Sequence, residues 1–377
     1  ISDYYRERYG RGVEVACSLI IMLSYLGWVS AQVTALGLVF NLLSANAISI
    51  PVGMVIGVVS ILAYTLFGGM WSVAVTDFMQ MIILVSGLAI LAVFAGNQAG
   101  GADKVIALAV SKDMFRFLPE PNLKDILFFF AAAITMMLGS IPQQDVFQRV
   151  MSANSIHAAT KGPVIGGICY ILFAFVPMFL VTSALIIMPE QTAVLLKEDP
   201  QKVLPTLVLE KMPFVMQVLF FGALLSAIKS TASATLLAPS VTFTENIWRQ
   251  FRPRLGDKQE LRTMRITVLV FSTLVLAYAI RMQGTSIYEM VSGAYQVTLV
   301  GAFVPLLAGL YWKRATTQGA IFSIVLGIAA WVLFLATPAG EEFPAQLAGV
   351  LAAAFGMVIG SLVPQSLKNS HASHYKH

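Results

Sequence analysis

Long unbroken apolar runs separated by short polar and basic segments set the pattern of this chain. A helix needs about 20 apolar residues to cross a hydrocarbon layer about 30 Å thick. On that template ten runs qualify: residues 13–42, 49–68, 71–96, 126–144, 163–188, 214–246, 263–282, 286–311, 317–336 and 344–364. Lipid cannot hydrogen-bond an open backbone, so continuous runs of this length read as helices. A barrel would instead alternate apolar and polar positions along short strands. The loops 97–125 and 189–213 are long enough for short helices, and Leu204–Met212 reads as one lying on the membrane surface, with Pro205 in its first turn. No linker or low-complexity tract divides the spans. The expectation is an all-α membrane protein with one transmembrane domain over residues 1–364 and a polar tail, 365–377, without fixed structure.

Composition supports the bilayer as part of the solvent. Hydrophobic residues make up 58% of the 377, charged residues 11%, and the mean hydropathy is +0.79; a soluble domain carries about 25% charged residues. The net charge of +5 is no nucleic-acid signal, because the basic residues sit mostly in loops between spans. One set of alternating loops, from Arg6 through Arg149 and Arg249 to Lys313 and beyond, holds 15 lysines and arginines, and the other set holds 8. The positive-inside bias places the first set, and both chain ends, in the cytoplasm of a cell whose plasma membrane the protein crosses repeatedly. The chain opens on Ile1 in a polar, loop-like segment rather than on Met, so upstream residues are expected. Cys17 and Cys169 both fall within apolar runs and offer no disulfide or metal framework. The histidines (His157, His371, His374 and His377) have no evident nucleophile beside them, and no phosphate loop is present, so neither hydrolysis nor ATP-driven pumping is expected. The sequence gives no reading of oligomeric state.

Polar groups within apolar spans are costly and therefore mark candidate chemistry. In the sixth span, Ala227, Ser230, Thr231 and Ala234 recur at i, i+3, i+4 and i+7, one helical face. Two hydroxyls beside backbone carbonyls suit a weakly held, oxygen-coordinated cation; close packing of small residues is the competing explanation. Lys229 lies in the middle of the same span, where a charge costs about 2.5–3.5 kcal/mol on insertion scales. It must pair with a carboxylate, line water, or be neutral. The Gly68–Gly69 pair predicts a tight cytoplasmic turn, and Asp77 follows about 12 Å up the next helix. That carboxylate is a counter-ion for a cation or for Lys229, or else an ordinary polar helix end. In the fourth span Gly139 and Pro142 interrupt the apolar run, and polar Gln143, Gln144 and Asp145 follow at once. Broken helices free backbone groups for ligands, although a plain helix end would read the same way.

Taken together and in order, three motifs resemble the sodium:solute symporter family over nearly the whole chain. They are Gly68-Gly with Thr76-Asp77 and Gln80; Ile141-Pro-Gln-Gln with Phe147-Gln-Arg149; and Ser226-Ala with Ser230-Thr231 before Glu245-Asn246-Ile247. Within the family the look is nearest to the high-affinity choline transporter-like members, in Gly139–Arg149 and in Met264–Val268. The resemblance implies a LeuT-type inverted-repeat transporter fold, with the chain starting just before the third core helix. It implies no cofactor beyond a coupling sodium ion, held by the Ala227 carbonyl, Ser230 and Thr231, with Asp77 in an additional cation site. Two positions depart from the pattern. Gln143 stands where choline transporters carry a cage tryptophan, which argues against choline because quaternary ammonium recognition uses aromatic faces, although Trp28 matches another of their pocket tryptophans. Lys229 stands where the family carries an apolar residue.

The expected activity is therefore sodium-coupled symport of a small organic solute by alternating access, not an enzyme reaction. The alternatives are the same fold with the Lys229 ammonium replacing sodium, giving proton-coupled or uncoupled transport, or a transporter-like ligand-sensing membrane domain. The solute site is expected around Trp28, Gln32, Gln143, Gln144 and Ser292, with Tyr288 and Tyr295 as gates.

Overall fold

The computed structural model describes residues 1–67, 70–252 and 256–367. The expected Gly68–Gly69 turn, the side chain of Thr76 and the tail from Lys368 onward, with three of the four histidines, lie outside the described residues. The described chain is helical almost throughout. Helix α1 spans Ser2–Tyr9, α2 Arg11–Leu43, α3 Ile50–Phe67, α4 Met70–Gln98 and α5 Ala102–Ser111. The interrupted segment follows as α6, Leu123–Gly139, and α7, Gln144–Met151. Then come α8 Ile156–Ile187, α9 Pro189–Glu198, α10 Val203–Lys211 and α11 Phe214–Thr242, which runs through a π-helical stretch, Phe243–Trp248, into the turn α12, Arg249–Phe251. The remainder is α13 Asp257–Arg281, α14 Ile287–Thr298, a second π-helical stretch Leu299–Phe303, α15 Val304–Tyr311, α16 Thr317–Ala336, α17 Ala339–Glu342 and α18 Ala345–Leu362.

Among the described residues, eight helices are long and apolar enough to cross a membrane, or nine if α6 and α7, bent by 45° at their break, form one span. The remaining expected span corresponds to α3, whose described apolar stretch, Ile50–Ala63, is short of a full crossing. The short helices expected in the two long loops are α5, α9 and α10.

Burial separates helices that hold the structure together from helices that face lipid. Half of the apolar window of α2 is buried inside the protein, against 6% for α8. Helix α2 packs on α3, α11, α13 and α14, and its 33 residues place Tyr25, Ile21 and Leu36 at essentially zero exposure. Helix α8 is apolar around its whole circumference, as expected of a helix solvated by acyl chains. Helices α16 and α18 approach closely where glycines meet: a Cβ on Gly360 would stand 2.8 Å from the Gly319 Cα. Small residues allow this backbone approach without a hydrophobic driving force in lipid.

The short α1 is fastened beneath the second π-helical stretch. The Tyr5 hydroxyl donates to the Ala302 carbonyl at 2.9 Å and that of Tyr9 to the Pro305 carbonyl at 2.8 Å. Pro305 has no N–H to offer the preceding turn, which favours the local shift to π geometry. Burial raises both phenols above the ordinary tyrosine value, so they remain protonated donors.

Candidate ion and solute site

The hydroxyl face of α11 meets α4 and α7 at one carboxylate. The Ser230 hydroxyl donates to Asp77 Oδ1, and Asp77 Oδ2 accepts from the Arg149 guanidinium at 3.2 Å. Ser230 is buried, while the Asp77 side chain keeps 27% and that of Arg149 55% of its exposure. Three elements distant in sequence thus converge on a charge that the protein itself does not fully enclose. Thr231 and Ala227 are half-buried. The Thr231 carbonyl accepts from Thr235 at 2.8 Å, but among the described residues the Thr231 hydroxyl has no hydrogen-bond partner. One carboxylate, two hydroxyls and helix carbonyls make an oxygen-only donor set of the type that suits an alkali cation.

Lys229 makes no hydrogen bond with this cluster among the described residues. Residues turn by about 100° per position on an α-helix, so Lys229 stands about 100° from Ser230 and about 160° from Thr231, turned away from the middle of the Ala227–Thr231 face. Among the described residues it makes no ion pair, and Asp77, its expected counter-ion, is engaged by Arg149 and Ser230.

The broken segment forms a second polar cluster. Helix α6 ends at Gly139 because Pro142 withholds an N–H and Gln143 is extended. The Gly139 carbonyl accepts from the Thr298 hydroxyl at 2.6 Å. The Gln143 amide donates to Ser24 at 2.9 Å and to Thr298 at 3.4 Å, and Gln143 is only 3% exposed. Tyr25 donates to Asp145 Oδ1 at 2.5 Å, and its oxygen accepts from the Asp145 N–H at 2.8 Å, which pins the first turn of α7 to α2. Gly139 is required by contact: a Cβ there would lie 2.3 Å from the Tyr295 carbonyl oxygen.

The residues expected at the solute site separate on this basis. Trp28 stacks on Tyr295 with ring centroids 5.3 Å apart and planes at 25°. Gln32 lies one turn from Trp28 on α2, and Ser292 one turn from Tyr295 on α14; both are half-buried. Trp28 and Tyr295 meet across the α2–α14 seam, and helical spacing puts Gln32 and Ser292 within one turn of that stack. Gln143 is occupied by its neighbours, and Gln144 accepts from the Ile1 nitrogen at 2.9 Å. Tyr288 is 59% exposed and takes no part in the Trp28–Tyr295 stack. A cavity of about 450 Å³ lies against the same seam, lined by Gly27, Met290, Gly293, Thr285, Glu289 and Trp331 among others, and a more apolar one of about 580 Å³ lies between α5 and α8. Neither is lined by the expected solute residues.

Sequence reasoning missed Ser24, Tyr25 and Thr298, whose hydroxyls hold the break together. It also missed Glu14, almost fully buried, which accepts from Asn246 at 2.9 Å and Gln250 at 3.3 Å, with Arg6 at 3.6 Å. The available signal was a carboxylate at the very start of an apolar run, in the first turn of α2.

Comparison with known proteins agrees with this architecture. The chain is 27% identical to the human high affinity choline transporter 1 over 354 residues, covering 90% of this chain and 58% of that protein. It is 26% identical over 373 residues to the high-affinity proline transporter PutP of Bacillus subtilis (strain 168), covering 97% of this chain and 77% of that protein. The chain thus spans less than two thirds of the human relative's length. The fold matches a solved Na+-coupled sialic acid symporter, in a substrate-bound outward-open state described as having a novel Na+ site, with a TM-score of 0.77 at 20% identity, over 98% of this chain and 78% of that one. The architecture is that of a LeuT-type, multi-pass membrane protein. The profile of the sodium:solute symporter family matches residues 1–327, and the chain belongs to that family.

Proposed function

We propose that this protein is a secondary active transporter that couples movement of a small organic solute to sodium by alternating access. In this reading it sits in the plasma membrane with the arginine-rich loops cytoplasmic. The observation that carries the reading is the convergence of Asp77 and Ser230, from separate spans, on one incompletely buried oxygen cluster, next to a Thr231 hydroxyl that has no hydrogen-bond partner among the described residues. An alkali cation is the ligand such a donor set suits, and the family's relatives include transporters of choline, proline and myo-inositol. The solute face is assigned to Trp28, Gln32, Ser292 and Tyr295. Gln143 and Gln144 hold the broken segment and act on the solute only by positioning it. The Lys229 alternative is disfavoured because that residue makes no ion pair among the described residues and Asp77 is engaged by Arg149 and Ser230.

The test is uptake by the full-length protein in proteoliposomes. A panel of radiolabelled small solutes would be offered with an inward sodium gradient or with N-methyl-D-glucamine in its place. A solute accumulated only with sodium supports the reading, and accumulation unchanged by the replacement contradicts it.

A further inference from the structure

We infer that Arg149 is a tethered competitor of the coupling cation: its guanidinium occupies Asp77 when the ion is away and releases α7 when the ion arrives. The inference rests on the cation-site reading above and adds a residue that sets ion affinity and couples the site to helix movement.

Asp77 has two oxygens, and each has one partner among the described residues. Oδ1 accepts from Ser230, itself a proposed ion ligand, and Oδ2 accepts from Arg149 at 3.2 Å. A cation held by Asp77 and the Ser230–Thr231 hydroxyls would stand beside the guanidinium, which is always protonated and has no way to shed its charge. The two positive charges repel in a site partly screened from water, so both are not held at full strength. Arg149 is the partner with somewhere to go. Its side chain is half exposed, it sits near the C-terminal end of the eight-residue α7, and no other carboxylate pairs with it among the described residues. The other end of α7 is fixed by Tyr25 to Asp145. Helix α7 is therefore held firmly at its start and by a displaceable ion pair near its end, after a 45° bend that separates it from α6. Linkage is reciprocal: whatever the ion pair contributes to docking α7, sodium must offset on binding, and bound sodium weakens that docking equally.

The experiment titrates sodium into the purified full-length protein in nanodiscs, at constant ionic strength with N-methyl-D-glucamine, because salt alone would screen the pair. Binding is read from tryptophan fluorescence. Arg149→Gln is expected to bind sodium more tightly by about fivefold or more, with Arg149→Lys close to wild type. Asp77→Asn and Ser230→Ala are expected to weaken binding. A second reading uses Val150→Cys in a Cys169→Ser background, since Val150 is half-buried while α7 is docked and Cys17 is buried. Sodium should speed maleimide labelling at position 150, and Arg149→Gln should make labelling fast without sodium. Sodium binding no tighter in Arg149→Gln, with Asp77→Asn still weakened, overturns this inference alone. No effect of Asp77→Asn or Ser230→Ala on sodium binding overturns the cation-site reading and the inference with it. A labelling rate at position 150 indifferent to sodium overturns the release of α7.

Discussion

Two polar clusters sit within apolar spans, and they differ in what their polar groups have left to offer. At the break between α6 and α7, Gln143, Thr298, Ser24 and the Gly139 carbonyl satisfy one another, Tyr25 pairs with Asp145, and Gln143 and Thr298 are nearly or fully buried. At the meeting of α4, α7 and α11, Asp77 keeps 27% exposure, the Thr231 hydroxyl has no hydrogen-bond partner among the described residues, and the charged partner of Asp77, Arg149, is half exposed. A buried polar network that is fully satisfied fixes structure, whereas a partly satisfied and reachable one is fit to bind. Sequence alone gives both clusters the same mark, polar residues in a costly place. Their hydrogen-bond balance separates a joint from a site.

The separation predicts which variants move stability and which move ion dependence. The largest stability effect is expected at Gly139: an added Cβ meets the Tyr295 carbonyl at 2.3 Å, and Gly139→Ala should cost about 1–3 kcal/mol by overpacking, with Gly139→Val worse. Thermal unfolding in detergent checks this, and an unchanged midpoint would mean that the joint is loose. Gln143→Leu removes the amide shared between Ser24 and Thr298 and should destabilise by about 1–2 kcal/mol. Its sodium affinity should stay at the wild-type value. If Gln143→Leu instead keeps stability and loses solute binding, the residue belongs to the solute face and the comparison above is wrong. Tyr25→Phe leaves the Asp145 N–H and carboxylate without their phenol and should cost about 1 kcal/mol, with faster proteolysis at α7. The smallest effect is expected from Lys229→Met. This variant should leave sodium dependence and the pH profile of uptake as they are, and a lost pH dependence would return Lys229 to the coupling mechanism.

Much of the fold was legible because crossing a bilayer imposes length and apolarity together. Run 13–42 corresponds to α2 at Arg11–Leu43, and 317–336 to α16 at Thr317–Ala336. Gly139 and Pro142 announced the break, although the expected run to residue 144 carried the helix past its end at Gly139. The shift of α11 into π geometry at Phe243 was not legible, because hydropathy is blind to a change in hydrogen-bond register. The site was half legible. Helical spacing put Ser230 and Thr231 on one face, and the same spacing turns Lys229 about 100° from Ser230 and about 160° from Thr231, a consequence the apolar-span argument overlooked. The Asp77–Arg149 pair joins positions 72 residues apart on different helices, and nothing local in either segment specifies it. Ser24 and Thr298 escaped notice because hydroxyls in apolar spans commonly bond their own helix, as Ser24 also does to the Ile21 carbonyl at 3.0 Å.

The central claim is that the Asp77–Ser230 cluster holds the coupling ion, and sodium activation of solute uptake in proteoliposomes compares wild type with Asp77→Asn most directly. The account predicts that Asp77→Asn folds and reaches the membrane with normal thermal stability but needs at least about tenfold more sodium for half-maximal uptake, in keeping with the loss of a charge-assisted contact. An Asp77→Asn protein with the wild-type sodium requirement would contradict it.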